Sequence, residues 1–400
     1  MSTSEMPQTS DDSVFDDIRP CRDDEVGSEL QKVIQDRTVI NGILKFQSRS
    51  SVLASLVYKL PAFMQNFIVG RFLSRQVREI HTVADFQLRV ANFMRSMSKT
   101  TSDGVTYKGF DRLDPKLGYL FISNHRDISL DPAYIDMALY AHEMPTVRIA
   151  IGDNLLRMPV ATSLMRLNKS FIVKRSVTSP REKLKELTKL SEYISLSIKE
   201  NNSIWIAERE GRAKDGDDRA EEAVLKMIGL AGRLQKKSFA EYMAGLRIVP
   251  VSITYEFDPN DRAKAEELSE REKHNGEYHK EQMEDIDTIA RGIRGYKGRV
   301  SVVAGEPLDG GFTNAAELAA IIDSFVWNNY QMYPSTLISA GHGGSCTEEE
   351  RKKFNDRIGS YPEELRERIR AMYARPWFNL HPEEMQGREP EPQKDPGKKD

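Results

Sequence analysis

The chain has 400 residues, of which 39% are hydrophobic and 30% are charged, and its formal net charge is −3. This composition is typical of a globular protein with one large domain or two, and the slightly acidic balance argues against a nucleic-acid-binding protein. Only two cysteines occur, Cys21 and Cys346, and they lack metal-ligand spacing, so we expect a reducing compartment.

The first 25 residues are acidic and polar, and we expect them to form a disordered tail. They lack the basic start and apolar core of a signal peptide, and no run of about 18 apolar residues predicts a transmembrane helix. Residues 26–104 predict an N-terminal helical region. Inside it, between Asp36 and Glu79, the chain has no acidic residue. The basic residues of this stretch are Arg37, Lys45, Arg49, Lys59, Arg71, Arg75 and Arg78.

The apolar residues of this acid-free stretch recur at helical spacing, and Pro61 divides the stretch into two predicted helices. Phe63, Phe67, Ile68 and Phe72 supply large apolar side chains to the second helix. A basic amphipathic helix can lie in a membrane interface, so we interpret residues 45–78 as membrane-facing. The alternative is a helical hairpin that packs on the core and leaves its basic face in solvent.

From residue 105 to about 310, short apolar runs alternate with amphipathic segments. The runs predict strands near 119–123, 147–151, 171–173, 204–207, 248–255 and 300–303, with helices near 132–142, 154–167, 181–200 and 221–237. This alternation predicts an α/β fold with a mostly parallel central sheet flanked by helices. Residues 261–292 are very polar and predict an exposed helical insertion. Helices at 311–375 and a disordered tail at 376–400 complete the expected organisation.

A candidate catalytic histidine follows the first buried strand. His125 lies two residues beyond that predicted strand, at the carboxyl edge where open α/β sheets place their chemistry. Asp131 and Pro132 predict the start of the next helix. A neutral imidazole here can take a proton from a hydroxyl, and a carboxylate can hold its tautomer. Asp131 is the preferred carboxylate, and Asp127 is the alternative.

Charged residues follow two further predicted strands. Arg175 comes after the strand near 171–173, and its planar guanidinium suits phosphate. Glu210, Gly211 and Arg212 follow the strand at 204–207, and the glycine permits close approach of the backbone to a ligand. Lys214 lies two residues further on. Each segment taken alone also fits a solvated surface loop.

Two other catalytic patterns are incomplete. His125-Arg126-Asp127 matches the start of the protein-kinase catalytic loop, but no asparagine follows at the required place and the chain has no Gly-rich nucleotide loop. Residues 341–345, Gly-His-Gly-Gly-Ser, match the oxyanion loop of esterases, but no Gly-x-Ser-x-Gly elbow accompanies them. A flexible linker is the preferred interpretation of that segment. No cluster has metal-site spacing.

Four segments in order resemble those of the glycerolipid acyltransferases, which esterify glycerol 3-phosphate or lysophosphatidate. That family carries Asn-His-x-x-x-x-Asp, a Phe-Ile-x-Arg strand end, Glu-Gly-x-Arg and a Val-Pro strand. The corresponding segments here are 124–131, 171–175, 210–212 and 249–250, and the resemblance covers about residues 105–310. Two departures stand out: five residues separate His125 from Asp131 rather than four, and no residue separates Gly211 from Arg212.

The resemblance implies an acyltransferase in phospholipid biosynthesis. His125, oriented by Asp131, would deprotonate the acceptor hydroxyl, which would attack the thioester of acyl-CoA or acyl-carrier protein. Arg175 would hold the acceptor phosphate together with Arg212 and Lys214, which share that role because of the altered spacing. The resemblance implies that Glu210 positions the acceptor hydroxyl or an arginine.

No metal or other cofactor is expected beyond the acyl thioester as co-substrate. The expected partners are the acyl donor and a phospholipid membrane surface, with no nucleic acid, and the expected location is the cytoplasmic membrane face. Two alternatives stay open: an O-acyltransferase that uses a lyso-lipid without a phosphate acceptor, and a catalytically silent membrane-binding scaffold with the same fold.

Overall fold

The computed structural model describes residues 12–47, 56–156, 158–280 and 283–385. The chain divides into two compact units. One consists of Met1–Asn92 and Arg148–Tyr193, and the other of Phe93–Val147 and Ile194–Asp400. The expected central region, 105–310, is therefore not one continuous unit, because its residues 148–193 cluster with the N-terminal helices instead.

Seven strands occur in the described part of the chain. They are β1 (Gly104–Lys108), β2 (Leu120–Ser123), β3 (Arg148–Gly152), β4 (Ser170–Val173), β5 (Ile204–Ala207), β6 (Ile248–Tyr255) and β7 (Arg299–Ala304). In the second unit the order is β1-β7-β6-β2-β5, and only β6 and β7 pair in antiparallel fashion. In the first unit, β3 and β4 form a parallel pair. The structure confirms the α/β prediction with mostly parallel strands.

The burial of each strand explains which ones the sequence revealed. All residues of β2 and β6 are buried, so both appear as continuous apolar runs in the sequence. Strand β1 was not predicted, because its five residues alternate between exposed and half-buried positions and include few apolar side chains. The bounds of the other strands agree with the prediction to within one residue.

Pro250 lies inside β6, which is an inner strand with neighbours on both sides. A proline inside a strand is usually found on an edge strand or at a bulge, whereas β6 has a neighbouring strand on each side. The carbonyl of Pro250 accepts a hydrogen bond from the N–H of Gly305, one residue beyond the end of β7. The nitrogen and carbonyl of one residue point to the same side of a strand, so the missing N–H faces the place where the β6–β7 ladder ends.

Helices precede, connect and follow the strands along the chain. Those of the first segments are α1 (Val26–Gln35), α2 (Arg37–Gln47), α3 (Ala62–Gln76), α4 (Val83–Thr101), α5 (Leu130–Ala141), α6 (Pro159–Leu167) and α7 (Pro180–Lys199). Beyond β5 follow α8 (Glu222–Ile228), α9 (Leu230–Leu234), α10 (Phe239–Ala244), α11 (Asp261–Lys273) and α12 (Glu284–Arg294). The last four are α13 (Ala315–Asn329), α14 (Pro334–Ala340), α15 (Glu348–Gly359) and α16 (Glu363–Leu380). Among the described helices, none has the length and hydropathy that a membrane crossing requires.

Three expectations about polar segments need correction. Residues 12–25 pack in the first unit, because Ile18 and Cys21 are buried and Arg19 pairs with Glu25 at 2.7 Å. Helix α16 continues to Leu380, beyond the expected start of the C-terminal tail, while residues 386–400 lie outside the described residues. The insertion at 261–292 forms α11 and α12, but α11 is not fully exposed, since it buries several charged side chains.

Candidate active site

His125 lies in the second unit, two residues beyond the end of β2. Strand β2 is paired with β5 on one side and β6 on the other, so the segments that follow these strands meet at one edge of the sheet. Backbone hydrogen bonds hold them together: the N–H of Glu208 donates to Ser123, and the N–H of Ala213 donates to the carbonyl of His125, both at 2.8 Å. The first and third motifs are therefore adjacent.

Asp131 orients the His125 ring. Its Oδ2 atom lies 2.9 Å from Nδ1 of His125, and it also accepts hydrogen bonds from the backbone N–H groups of Arg126 and Asp127 at 2.7 and 2.9 Å. Its other oxygen, Oδ1, accepts a hydrogen bond from the hydroxyl of Tyr255 at 2.8 Å. In every one of these contacts a carboxylate oxygen of Asp131 is the acceptor, so the geometry suits the His125 tautomer with its proton on Nδ1 and a free lone pair on Nε2.

Asp127, the alternative carboxylate, has a different task. Its Oδ1 accepts hydrogen bonds from the backbone N–H groups of Ser129 and Leu130, and its Oδ2 accepts one from the side chain of Asn260 at 3.1 Å. Burial and the neighbouring Asp131 raise the pKa of Asp127. The structure therefore places Asp127 in the turn that leads into α5 and places Asp131 against the imidazole.

The catalytic edge of the imidazole is accessible. The side chain of His125 is 13% exposed, and among the described residues no group makes a hydrogen bond to its Nε2 atom. The ring of Trp205, on β5, packs edge-on against it with 5.7 Å between the centroids. The indole N–H of Trp205 donates to Ser123 at 2.9 Å, which fixes this wall of the site. Nε2 is thus the atom that can meet a substrate proton.

Residues on either side of His125 are anchored by a buried carboxylate, Asp218. Its Oδ2 accepts hydrogen bonds from the Asn124 amide at 3.1 Å and from the Arg126 guanidinium at 2.6 Å. The Asn124 side chain also exchanges two hydrogen bonds with the backbone of Ile253 on β6. Lys264 donates to the carbonyl of Arg126 at 2.7 Å. The loop that carries His125 is therefore fixed on both sides by buried polar contacts.

The third motif forms a tight turn beside the His125 loop. Gly211 has φ of +76°, a backbone conformation that favours glycine. Arg212 is 8% exposed, and its guanidinium has no hydrogen bond or ion pair among the described residues. Lys214 is paired with Glu267 of α11 at 2.8 Å. Glu210 is exposed, and its backbone N–H donates to Glu221. A guanidinium that makes no hydrogen bond and follows a segment bonded to the His125 backbone suits an anionic ligand.

The buried carboxylate at the end of β5 is Glu208, which the sequence analysis passed over in favour of Glu210. Both of its carboxyl oxygens are buried without a hydrogen-bond partner. Burial, with Asp218 and Asp323 nearby, raises the pKa of Glu208 well above its usual range. A protonated Glu208 is therefore the form this environment favours, next to the Asp218 side chain that holds Arg126.

Arg175 belongs to the first unit, whereas His125 belongs to the second. Its backbone N–H donates to Asp153 at 3.2 Å, and the neighbouring Ser176 hydroxyl donates to the same carboxylate at 2.6 Å. The role that the resemblance implies for Arg175 in holding phosphate stays a prediction.

One group of side chains in the described ranges has ligand atoms close enough to share a metal ion: His381, Glu383 and Glu384. These residues lie beyond the end of α16, and Glu384 already accepts hydrogen bonds from His342 at 2.6 Å and Trp377 at 3.1 Å. None of them belongs to the motifs of the candidate site. The expectation that the reaction needs no metal stays a prediction.

Besides Glu208, three residues of the site could not be recognised in the sequence: Asp218, Tyr255 and Lys264. Each contacts the His125 loop or Asp131 from a segment about 90 or more residues away in the chain. Asp218 and Lys264 lie in polar stretches, and Tyr255 ends an apolar strand, so nothing in their local pattern distinguishes them. The pairing of β2 with β6 brings Tyr255 to the site, the packing of α11 brings Lys264, and Asp218 lies in the segment that follows β5.

The family model described as Acyltransferase matches residues 104–254. Residues 104–254 of this chain are therefore similar to the acyltransferase family. The matched range begins with β1, includes the His125–Asp131 pair and the third motif, and ends within β6. The match confirms the family resemblance drawn from the four motifs.

No curated protein matches the chain. Among solved structures, a 1-acyl-sn-glycerophosphate acyltransferase, PlsC, from Thermotoga maritima is similar to 73% of this chain and 95% of its own, with 16% sequence identity and a TM-score of 0.34.

Proposed function

We propose that the chain transfers a fatty acyl group from an acyl thioester to a hydroxyl of glycerol 3-phosphate or 1-acylglycerol 3-phosphate. The observation that carries this proposal is the contact between His125 and Asp131 inside the range that is similar to the acyltransferase family. The donor is acyl-CoA or acyl-carrier protein. No resident cofactor takes part in the proposed reaction.

In the proposed mechanism, Nε2 of His125 removes the proton of the acceptor hydroxyl as its oxygen attacks the thioester carbonyl. Asp131 stabilises the imidazolium that forms. The C–S bond then breaks, and the departing thiolate takes the proton from Nε2. The new ester, the free thiol and the neutral imidazole balance the reaction without an acyl-enzyme, because both substrates are held together.

The acceptor phosphate would lie against Arg212, because this residue is 8% exposed and its guanidinium makes no hydrogen bond or ion pair within the described part of the chain. Arg175, Lys214 and Glu210 keep the binding roles that the resemblance implies, and Gly211 allows the backbone to approach the ligand. The second candidate acceptor is a lyso-lipid without a free phosphate monoester. One observation favours it: Lys214 is already paired with Glu267.

The lipid acceptor requires an interface, and α3 offers one in the first unit. Val69 and the half-buried Leu73 pack on Ile40 and Leu44 of α2, which leaves the other side of α3 free. Phe63 and Phe67 on α3 are 72% and 69% exposed. The exposed apolar side chains of α3 are Phe63, Met64, Phe67, Ile68 and Phe72. Residues 48–55 of the expected membrane-facing stretch lie outside the described residues.

We therefore propose that α3 binds an anionic lipid surface at the cytoplasmic membrane face. Arg71 and Arg75 are exposed on the same helix, and across the described residues neither forms an ion pair. Large aromatic side chains next to free arginines suit the boundary between headgroups and acyl chains. A core-packing face alone would not leave two phenylalanines largely in solvent.

The test of the reaction is an acyl-transfer assay with purified full-length protein. Labelled acyl-CoA and acyl-carrier protein serve as donors, and glycerol 3-phosphate, lysophosphatidate and a panel of lyso-lipids serve as acceptors. We expect product only with the phosphate monoester acceptors, and Arg212→Ala should raise their KM by roughly tenfold or more. Product with the other lyso-lipids alone, and no effect of Arg212→Ala, would establish the second candidate acceptor. Absence of transfer with every pair would contradict an enzymatic role.

A further inference from the structure

The insertion helix α11 lies against the candidate site rather than in solvent. Among its buried residues are Asp261, Lys264 and Glu267. Lys264 donates to the carbonyl of Arg126, next to His125, and Glu267 pairs with Lys214 of the third motif. Burial of a charged side chain costs free energy unless an ion pair or hydrogen bond compensates it. The buried charges of α11 are therefore retained together with their contacts to the candidate site.

Helix α12 completes this wall. A side-chain Cβ at position 292 would collide with the Asp127 carboxylate, so Gly292 permits the close approach of α12 to the turn before α5. Asn260, at the start of α11, donates to Asp127 and to the carbonyl of Thr288 on α12. Both helices of the insertion are therefore fixed to the loop that carries His125.

The charges around Glu267 are unequal. Its Oε1 accepts from Lys214 at 2.8 Å and from Arg271, one helical turn further along α11, at 2.9 Å. Burial opposes the ionised form, yet the two cations lower the pKa of Glu267, so it is a carboxylate at neutral pH. One anion thus faces two cations, and Arg212 adds a third cation, which has no hydrogen bond or ion pair in the described residues but interacts electrostatically with Asp127.

A phosphate monoester at Arg212 would compete with Glu267 for Lys214 and Arg271. The pKa of Lys214 is lowered, chiefly by burial and also by Arg212 and Arg271, so this ammonium is poorly solvated. A second anion near it is stabilised by the cations and repelled by the Glu267 carboxylate. The net affinity of the site for a phosphate monoester therefore depends on the charge at position 267.

We propose that Glu267 of the insertion sets the affinity and selectivity of the site for phosphate monoesters by competing with the acceptor phosphate for Lys214 and Arg271. This inference rests on the proposed function, since it assigns the charge balance of the proposed acceptor site. Removal of the carboxylate frees two cations for the ligand. Removal of Arg271 leaves Glu267 to neutralise Lys214 alone.

The test compares Glu267→Gln with Glu266→Gln, a control on the neighbouring position of the same helix. Glu266 is exposed and pairs with Arg262 at 2.8 Å on the solvent side. Isothermal titration calorimetry of the full-length protein measures the Kd of inorganic phosphate and of glycerol 3-phosphate at fixed pH and ionic strength. We expect Glu267→Gln to bind both ligands roughly tenfold more tightly than the wild type, because a charged contact no longer competes, and Glu266→Gln to leave both Kd values unchanged.

Arg271→Ala supplies a change in the opposite direction. We expect it to weaken phosphate binding severalfold, whereas a general disturbance of α11 would weaken binding in both variants. Thermal melting of each variant shows whether the fold is kept. The proposal is overturned if Glu267→Gln binds phosphate no more tightly than Glu266→Gln, or if neither the wild type nor Glu267→Gln binds phosphate at all.

The acyl-transfer assay separates this inference from the proposed function. Transfer to phosphate acceptors with an unchanged acceptor KM in Glu267→Gln would leave the proposed function intact and overturn the role of Glu267. Tighter phosphate binding by Glu267→Gln without any acyl transfer would support the role of Glu267 and contradict the proposed function.

Discussion

Asp131 contacts the His125 ring although five residues separate the two, one more than in the family motif. The extra residue is absorbed in the turn before α5, where Asp127 accepts hydrogen bonds from the backbone N–H groups of Ser129 and Leu130. Helix α5 then begins at Leu130 and presents Asp131 in its first turn. The altered spacing therefore preserves the contact that a general base requires.

The first prediction concerns the base itself. His125→Ala should lower kcat by roughly 10²–10⁴, the usual contribution of a general base, while the protein stays folded. The ring is only partly buried, so its loss leaves a small gap rather than a collapsed core. The measurement is steady-state acyl transfer with circular dichroism as the control for folding. Turnover near the wild-type value would contradict the assignment of His125.

The second prediction separates the two carboxylates. Asp131→Asn should lower kcat by roughly 10²–10⁴, because an amide can hold the wrong tautomer of His125 and cannot stabilise its imidazolium. Asp127→Asn should cost far less, since an amide oxygen can still accept from Ser129 and Leu130. Both variants are assayed under the same conditions. A larger loss in Asp127→Asn would show that the orienting role belongs to Asp127.

The third prediction tests Tyr255 as a positioning residue. Tyr255→Phe removes the hydroxyl that donates to Oδ1 of Asp131 at 2.8 Å, while the contacts to Oδ2 remain. We expect kcat to fall roughly tenfold, the effect of about 1.5 kcal/mol from one hydrogen bond to a charged group, with the acceptor KM unchanged. A rise in KM at constant kcat would instead indicate that Tyr255 contacts the acceptor.

The fourth prediction tests the membrane-facing helix. The double variant Arg71→Glu/Arg75→Glu should lose more than roughly tenfold of its affinity for phosphatidylglycerol-containing vesicles, because each basic residue adds on the order of 1 kcal/mol near an anionic surface. Salt should weaken the binding of the wild type, since these charges are screened over about 10 Å at 0.1 M.

The matched control is Lys236→Glu/Lys237→Glu, a charge reversal at exposed lysines of the other unit. Co-sedimentation with neutral and anionic vesicles provides the measurement. Equal sedimentation of the wild type and both double variants with every vesicle would contradict the binding of α3 to an anionic lipid surface.

The fifth prediction concerns stability and pH. Burial raises the pKa of Asp323 from its ordinary value of 3.8 to about 6. A raised folded-state pKa gives stability that is present below the ordinary pKa and is lost as the pH rises through about 6. Asp323→Asn keeps an oxygen that can accept from the N–H of Ala220 but removes the titration.

The free energy of unfolding of Asp323→Asn minus that of the wild type should therefore increase as the pH rises from about 4 to about 7. Urea unfolding across this range measures the difference. Asp356→Asn, at an exposed carboxylate that pairs with Lys352, is the control. A constant difference between the wild type and Asp323→Asn at every pH would contradict the raised pKa.

Most strands of the fold, though not β1, and the chemistry of the His125 segment could be predicted from the sequence. Strands β2, β5 and β6 are buried on both faces, so they appear as apolar runs that no helix periodicity explains. The carboxyl ends of parallel strands lie at one edge of the sheet, and this rule predicts the position of His125 at the edge where open α/β sheets place their chemistry.

Two features could not be predicted from the sequence: which carboxylate contacts His125, and which residues surround Arg212. The first depends on where the turn ends and α5 begins, a matter of a few backbone hydrogen bonds that residue types alone do not fix. The second depends on α11, whose polar sequence predicted exposure. Its Glu267 is buried because Lys214 and Arg271 compensate its charge, and such compensation arises between segments that are distant in the chain.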